Sequence, residues 1–275
     1  MTSKTIAFIG GGNMAASLIG GLVADGYEPK RIWVADPDAE KLATLAARFR
    51  IQSAGDNQQA VARADVVMLA VKPQVLHQVA QALAPLVQKQ RPLVISIAAG
   101  VRESALQSWL GKDVVLIRRV PDTRAMLQSG ATGLHAGKGV SQEQKNLAES
   151  ILRAVGLTRW VEEEQQMDAV TALSGSGPAY FFLVMEAMEK AGLELGLPAE
   201  TTRLLTLQTA LGAARMAIES SDSPAALRQR VTSPGGTTEK ALEVLNKGGL
   251  PELFRRALEQ ARDRSIELSK MLEDG

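Results

Sequence analysis

A chain of 275 residues, 45% of them hydrophobic, is long enough for two domains with buried cores, and a net charge of +1 leaves no basic face for nucleic acid. The absence of cysteine excludes disulfides, thiolate metal sites and a cysteine nucleophile, while His77 and His135 lie too far apart in sequence to suggest a metal site or histidine-based acid catalysis. No apolar run approaches the ~18 residues of a membrane span, and a strand begins within a few residues of Met1, so no signal peptide is expected and the protein is placed in the cytoplasm.

The first strand, Thr5 to Ile9, runs into Gly10-Gly11-Gly12-Asn13-Met14-Ala15 and then into the periodic segment Ala16 to Ala24. Read as G-x-G-x-x-A, Gly10 permits a tight turn, Gly12 removes the Cβ that would hold a pyrophosphate off the backbone, and Ala15 lets helix and strand pack closely. The phosphates of a dinucleotide would then meet free N–H groups and the positive end of a helix dipole. The second strand, Ile32 to Ala35, ends in Asp36, about 20 residues further on. As a cofactor residue, Asp36 would accept from the adenosine ribose and favour NAD over NADP; as a structural one, it begins Asp36-Pro37-Asp38, a good helix N-cap before a proline. Both roles stay open at this point, and with them the choice of NAD or NADP.

Strands continue to alternate with amphipathic helices as far as Val161: Val66 to Ala70, Leu93 to Ile97 and Val114 to Arg118, with weaker strands near Ile51, at Ala131 to His135 and at Thr158 to Val161. That rhythm specifies an α/β domain with a mostly parallel sheet covered on both faces. Ligands of such sheets lie beyond the carboxyl ends of the strands, where Val71-Lys72-Pro73 and Ala98-Ala99-Gly100 also leave.

After Glu162-Glu163-Glu164 the texture becomes nearly continuous helix, which sets the expected boundary: residues 1–161 form a dinucleotide-binding domain and 162–275 an all-helical one. Helices are expected over Glu164–Leu173, Pro178–Leu195, Ala199–Ser220, Pro224–Arg230, Thr238–Asn246 and Pro251–Leu272. The stretch Ala179 to Met185 is apolar on every side, and a helical domain of about 110 residues can hardly enclose it alone, so a second subunit is expected to cover it.

Two stretches interrupt the helices. Leu173-Ser174-Gly175-Ser176-Gly177-Pro178 lacks the spacing and the preceding strand of a nucleophile elbow and reads as a helix stop and restart. In Val231-Thr232-Ser233-Pro234-Gly235-Gly236-Thr237-Thr238-Glu239, Pro234-Gly235 fits the centre of a tight turn, and Thr237 or Thr238 can cap the following helix. The same stretch also suits a carboxylate, held by backbone N–H groups with a threonine hydroxyl beside it.

Gly10 to Ala15, Ala70-Val71-Lys72-Pro73, Ala98-Ala99-Gly100, the run from Asp168 to Tyr180 and Ser233-Pro234-Gly235-Gly236-Thr237-Thr238, in this order over the whole chain, resemble the pyrroline-5-carboxylate reductases, which catalyse the last step of proline synthesis. The resemblance implies a Rossmann domain joined to a helical dimerisation and substrate domain, with the active site at the interface of a homodimer that can assemble into a ring such as a decamer. It implies NADP or NAD contacts from Gly10, Gly11, Gly12, Asn13, Met14 and Ala15, from Asn57, from Ala70, Val71, Lys72 and Pro73, and from Ala98, Ala99 and Gly100. It further implies that Ser233, Gly235, Gly236, Thr237 and Thr238 hold the substrate carboxylate, that the Thr238 hydroxyl serves the ring nitrogen, and that Glu164 lies on the substrate side. Two positions depart from the pattern: Asp36 replaces a serine common where NADPH is used, and Arg230 replaces an asparagine, adding a cation near the cofactor.

A protonated cyclic imine already accepts a hydride, so a reductase of this kind needs positioning and exclusion of water rather than histidine, thiolate or metal. Two other readings are a β-hydroxyacid dehydrogenase of the 3-hydroxyisobutyrate type, for which Lys190 lacks the expected surroundings, and a non-catalytic dinucleotide sensor.

Overall fold

The computed structural model describes residues 4–120 and 130–273. Among the described residues eight strands form one sheet: β1 (Ile6–Ile9), β2 (Ile32–Ala35), β3 (Gln52–Ser53), β4 (Val66–Leu69), β5 (Leu93–Ser96), β6 (Leu116–Arg119), β7 (Gly130–Ala136) and β8 (Gly156–Trp160). Between them run the helices α1 (Asn13–Ala24), α2 (Ala39–Phe49), α3 (Asn57–Val61), α4 (Pro73–Gln90), α5 (Glu103–Leu110) and α6 (Gln142–Leu152). The sheet order is β3-β2-β1-β4-β5-β6-β7-β8, and every pairing is parallel except β6 with β7. The chain therefore reverses its direction of travel between β1 and β4, which is where a doubly wound sheet opens a crevice at its carboxyl edge.

Alternation along the strands feeds two cores. In β1, Ile6 and Phe8 join Leu18, Ile19, Met68 and Ile95 on one face, while Ala7 and Ile9 join Leu69, Leu76, Leu83 and Val94 on the other. All four residues of β1, β4 and β5 are buried, as strands covered on both faces must be. Local chemistry sets the helix starts. Ser141 and Gln144 close a capping box at α6, Asp56 caps α3, and Pro73 opens α4.

The remaining described residues, up to 273, are mainly helical: α7 (Gln166–Val170), α8 (Gly177–Glu194), α9 (Ala199–Glu219), α10 (Pro224–Arg230), α11 (Thr237–Lys247) and α12 (Leu250–Glu273). The stop and restart expected at Leu173 to Pro178 is instead a π-helical turn, Thr171–Gly175, followed by Ser176 as the N-cap of α8. Hydrogen bonding of Ser174 Oγ to the Ala131 carbonyl at 2.8 Å ties that turn to β7.

The chain divides into two compact units. One holds the sheet and runs to Gly175, taking in the end of the chain from Ala261, and the other is Ser176–Gln260. The second unit has no core of its own. Gly177, Thr202 and Thr206 are its only buried residues, whereas Phe181, Phe182 and Leu183 of α8 are about two-thirds exposed and Ile218 of α9 is 82% exposed. Apolar surface on this scale marks a face meant to be covered. Among the described residues no helix is long and apolar enough to cross a membrane.

Candidate functional site

Strand register assembles the site. Ile9 pairs with both Ala35 and Leu69, and Leu69 with Ser96, so Gly10, Asp36, Ala70 and Ile97 leave the sheet at one level of its carboxyl edge. The ladder extends one step beyond the strands: Gly10 N–H donates to the Ala35 carbonyl and Ala70 N–H to the Ile9 carbonyl, both at 2.8 Å.

Gly10 has φ +100°, and a Cβ there would lie 2.7 Å from the Ala70 carbonyl oxygen, so both backbone shape and space require glycine. Gly12 is the N-cap of α1 and faces open space, since a Cβ there would meet nothing within 4 Å. No side chain caps α1 and no acid stands in its first turn, which leaves its N-terminal N–H groups to a ligand. Ala15, fully buried, packs the helix onto the sheet. An uncapped, open helix start reached through a glycine turn fits a dinucleotide pyrophosphate.

The rim continues from strand to strand. Lys72 is the exposed N-cap of α4, before Pro73, and follows Ala70 and Val71 off β4. After β5, Ala98 is buried, Ala99 exposed, and Gly100 has φ +76° with its back against Leu272 of α12. Asn57 opens α3, which packs against β1 and β2.

Asp36 is not the helix cap that its Asp-Pro-Asp context suggests. The cap of α2 is Asp38, whose carboxylate accepts from Lys41 N–H at 3.0 Å. The Asp36 carboxylate is instead turned inward, accepting from Gly11 N–H at 2.7 Å, Asp38 N–H at 3.0 Å and Lys41 Nζ at 3.2 Å. Asp36 closes an Asx turn onto Asp38 N–H, so the helix begins after Asp38, whose carboxylate reaches Lys41 N–H. Burial pushes the Asp36 carboxyl up, but the bonds from Gly11, Asp38 and Lys41 together outweigh it and hold the carboxyl below its ordinary value.

Behind the third loop lies a polar cluster around Glu164, which the resemblance sets on the substrate side, and Asp168. Arg118 Nη1 and Glu103 N–H both donate to Glu164 Oε1, and the latter bond is 2.6 Å long. One helical turn on, Asp168 accepts from Arg102 Nη2 at 2.9 Å and from Ser265 Oγ at 2.7 Å. The four-residue spacing of Glu164 and Asp168 was visible in the sequence. Their partners, 46 to 97 positions away, were not.

In the second unit, Ser233 to Gly236 is the expected tight turn: Gly236 N–H donates to the Ser233 carbonyl at 3.0 Å, and Gly235, at φ +71°, has the left-handed conformation that a non-glycine residue resists. Neither threonine caps α11. Gly236 is the N-cap and makes no side-chain bond, while Glu239 reaches back to accept from Gly235 N–H at 2.8 Å. A glutamate in the first turn already serves the backbone N–H that a threonine cap would have to reach past. Thr237 and Thr238 thus become the first two helical residues, and their hydroxyls make no hydrogen bond among the described residues. Arg230 ends α10 in a 2.5 Å ion pair with Asp222.

Residues 164–268 match the family described as pyrroline-5-carboxylate reductase dimerisation, and residues 5–100 match the one described as NADP oxidoreductase, coenzyme F420-dependent. A pyrroline-5-carboxylate reductase of Pseudomonas aeruginosa is 52% identical over 99% of both chains. The chain belongs to the pyrroline-5-carboxylate reductase family. The structure of a pyrroline-5-carboxylate reductase from Coxiella burnetii superposes with a TM-score of 0.95 at 49% identity, covering 97% of this chain and 99% of that one. A Plasmodium falciparum pyrroline carboxylate reductase with NADP bound superposes with a TM-score of 0.84 at 26% identity, over 98% of this chain and 99% of that one. The fold is accordingly a Rossmann-type sheet followed by a helical dimerisation segment, and the cofactor is a nicotinamide dinucleotide. Neither the hydroxyacid dehydrogenase nor the sensor finds support among these relatives.

Proposed function

We propose that the chain reduces 1-pyrroline-5-carboxylate to L-proline with NAD(P)H, the last step of proline biosynthesis. The observation that carries this reading is the Ser233–Gly236 turn in a chain of this family: a glycine turn at a helix start, with two unengaged threonine hydroxyls, suits a small carboxylate.

The backbone from Gly10 to Ala15 receives the pyrophosphate, and Asn57, Ala70 to Pro73 and Ala98 to Gly100 line the rest of the dinucleotide. Asp36 and Arg230 act at the adenosine end, where one repels and the other attracts a 2′-phosphate. When bound, the dinucleotide supplies a hydride from its nicotinamide C4. The protein holds the imine carbon toward that position and shuts out water. Ser233, Gly235, Gly236 and Thr237 hold the carboxylate. Thr238 bonds the ring nitrogen and keeps its proton in place while the C=N electron pair moves onto nitrogen, so no base has to remove a proton. Glu164 is held through Oε1, and its Oε2 makes no hydrogen bond among the described residues, which suits its assignment to the substrate side.

In this reading, residues 1–161 bind the dinucleotide and 162–275 supply the substrate loop and the dimer contacts. The exposed faces of α8 and α9 support a homodimer through the helical half, assembled further into a ring such as a decamer. The protein works in the cytoplasm.

Following NADH and NADPH oxidation with pyrroline-5-carboxylate, and cofactor reduction with 3-hydroxyisobutyrate, tests the assignment. Turnover of the imine alone is the expected result. Oxidation of the alcohol, or tight cofactor binding without turnover of either compound, would overturn it.

A further inference from the structure

The loop Ala98–Gly100 is fastened at its C-terminal end by two carboxylates from outside the sheet. Asp168 is 5% exposed, a position too costly for an isolated charge. Arg102, two residues beyond Gly100, neutralises it at Oδ2, and Ser265 of α12 donates to Oδ1 at 2.7 Å. Glu164 fixes the next residue by accepting from Glu103 N–H at 2.6 Å, which also serves as the cap that α5 lacks from its own sequence. The back of the loop rests on the last turns of α12. A Cβ on Gly100 would come 3.2 Å from Leu272 Cδ1 and 3.8 Å from the fully buried Ser269 Oγ, and Ser104 Oγ bonds Glu273 at 3.2 Å. Ala99 alone is left exposed, at the carboxyl edge of the sheet.

We propose that Asp168 is a positioning residue for the cofactor: through Arg102 and Ser265 it locks the Ala98–Gly100 loop against the end of α12, so that dinucleotide affinity depends on a helix that does not belong to the sheet. The inference rests on the reading that this loop faces the dinucleotide. The geometry fits a lock rather than a plain core contact. Both oxygens of one buried carboxylate are used, each by a different element, and both elements bear on the Ala98–Gly100 loop. A loop held ready in its binding shape spares the ligand the ordering cost, so releasing the lock shows as lost affinity.

The test measures NADP⁺ binding to the full chain by titration calorimetry, with no substrate present, alongside thermal unfolding and the cofactor KM and kcat. Ser265→Ala removes one bond from an intermediate position and is expected to weaken NADP⁺ about five- to tenfold and raise cofactor KM to match, with kcat nearly kept. Ser265→Thr, which retains the hydroxyl, restores affinity. Asp168→Asn shows the larger loss, and Ser265→Ala carries the test if that variant does not fold. Ala99→Trp probes the reading beneath the inference. If it leaves NADP⁺ affinity unchanged, the loop does not face the cofactor and the inference falls with that reading. If Ala99→Trp weakens binding while Ser265→Ala does not, or if Ser265→Ala lowers kcat alone, the loop faces the cofactor but Asp168 does not position it.

Discussion

Gly11 N–H donates to Asp36 Oδ2 at 2.7 Å, joining the glycine loop after β1 to the end of β2. The acid that would choose between NAD and NADP therefore also braces the loop, and Lys41, 3.2 Å away, partly cancels its charge. A 2′-phosphate beside the carboxylate is repelled, and Lys41 offsets that repulsion. Asp36→Ser should raise the NADPH-to-NADH ratio of kcat/KM by about tenfold, roughly 1.4 kcal/mol, and Lys41→Met should lower it. An unchanged ratio in the serine variant would reduce Asp36 to a loop brace.

Acid should loosen that brace. The Asp36 carboxyl lies below its ordinary value in the folded chain because the bonds from Gly11, Asp38 and Lys41 outweigh burial. A lowered folded pKa contributes stability that is present above the unfolded value, near 3.9, and is lost as pH falls through the folded one. Between pH 7 and 5 this contribution stays constant, and it declines below about pH 4. Thermal unfolding of wild type and Asp36→Asn over that range should converge at the acid end. A gap that persists there would contradict the charge-assisted bonds.

The glycine turn separates fold from function at two neighbouring positions. Alanine at Gly10 would combine φ +100° with a 2.7 Å approach to a backbone oxygen, a strain of about 1–3 kcal/mol that should appear as a lower melting temperature. Alanine at Gly12 meets open space and should leave melting almost untouched while weakening the dinucleotide, whose pyrophosphate needs that space. Equal melting losses in both variants would refute this division.

Thr238 carries the heaviest chemical assignment. Thr238→Ala should cut turnover of the imine by about a hundredfold, roughly 2.7 kcal/mol for a lost hydrogen bond to a charged ring nitrogen, with NADP⁺ affinity unchanged. Thr238→Ser should recover most of it. Normal turnover in the alanine variant would take the residue out of the mechanism.

The sheet was legible because β1, β2, β4 and β5 are short apolar runs buried on both faces, and their ends and the glycine turn fall within a residue or two of the positions read from the sequence. Register then brings Gly10, Asp36 and Ala70 side by side without further information. Side-chain choice was less legible. Whether Asp36 or Asp38 caps α2 depends on one turn residue, and whether Thr237 or Glu239 serves the Ser233–Gly236 turn depends on a reach of four residues. Arg102, Arg118 and Ser265 gave no local signal at all, because their partners are supplied by packing between distant segments. The face of α8 was legible for the opposite reason: Ala179 to Met185 is apolar on every side, which only a larger assembly can satisfy.

That last feature yields the most direct prediction for the assembled protein. Phe182 on α8 is 66% exposed in the isolated chain, beside Phe181 and Leu183, in a unit whose apolar side chains are nowhere fully buried. A buried phenylalanine removes about 150–250 Å² from water, whereas a charge in its place must be desolvated without a partner. Phe182→Asp should therefore shift the oligomer toward monomer in analytical ultracentrifugation and lower the melting temperature at low protein concentration. Because dissociation follows mass action, the deficit should shrink as the concentration is raised. The sheet unit, with its two cores intact, should keep its far-ultraviolet signal under the same conditions. An oligomer of unchanged mass and stability would show that this face of α8 is not the contact between subunits.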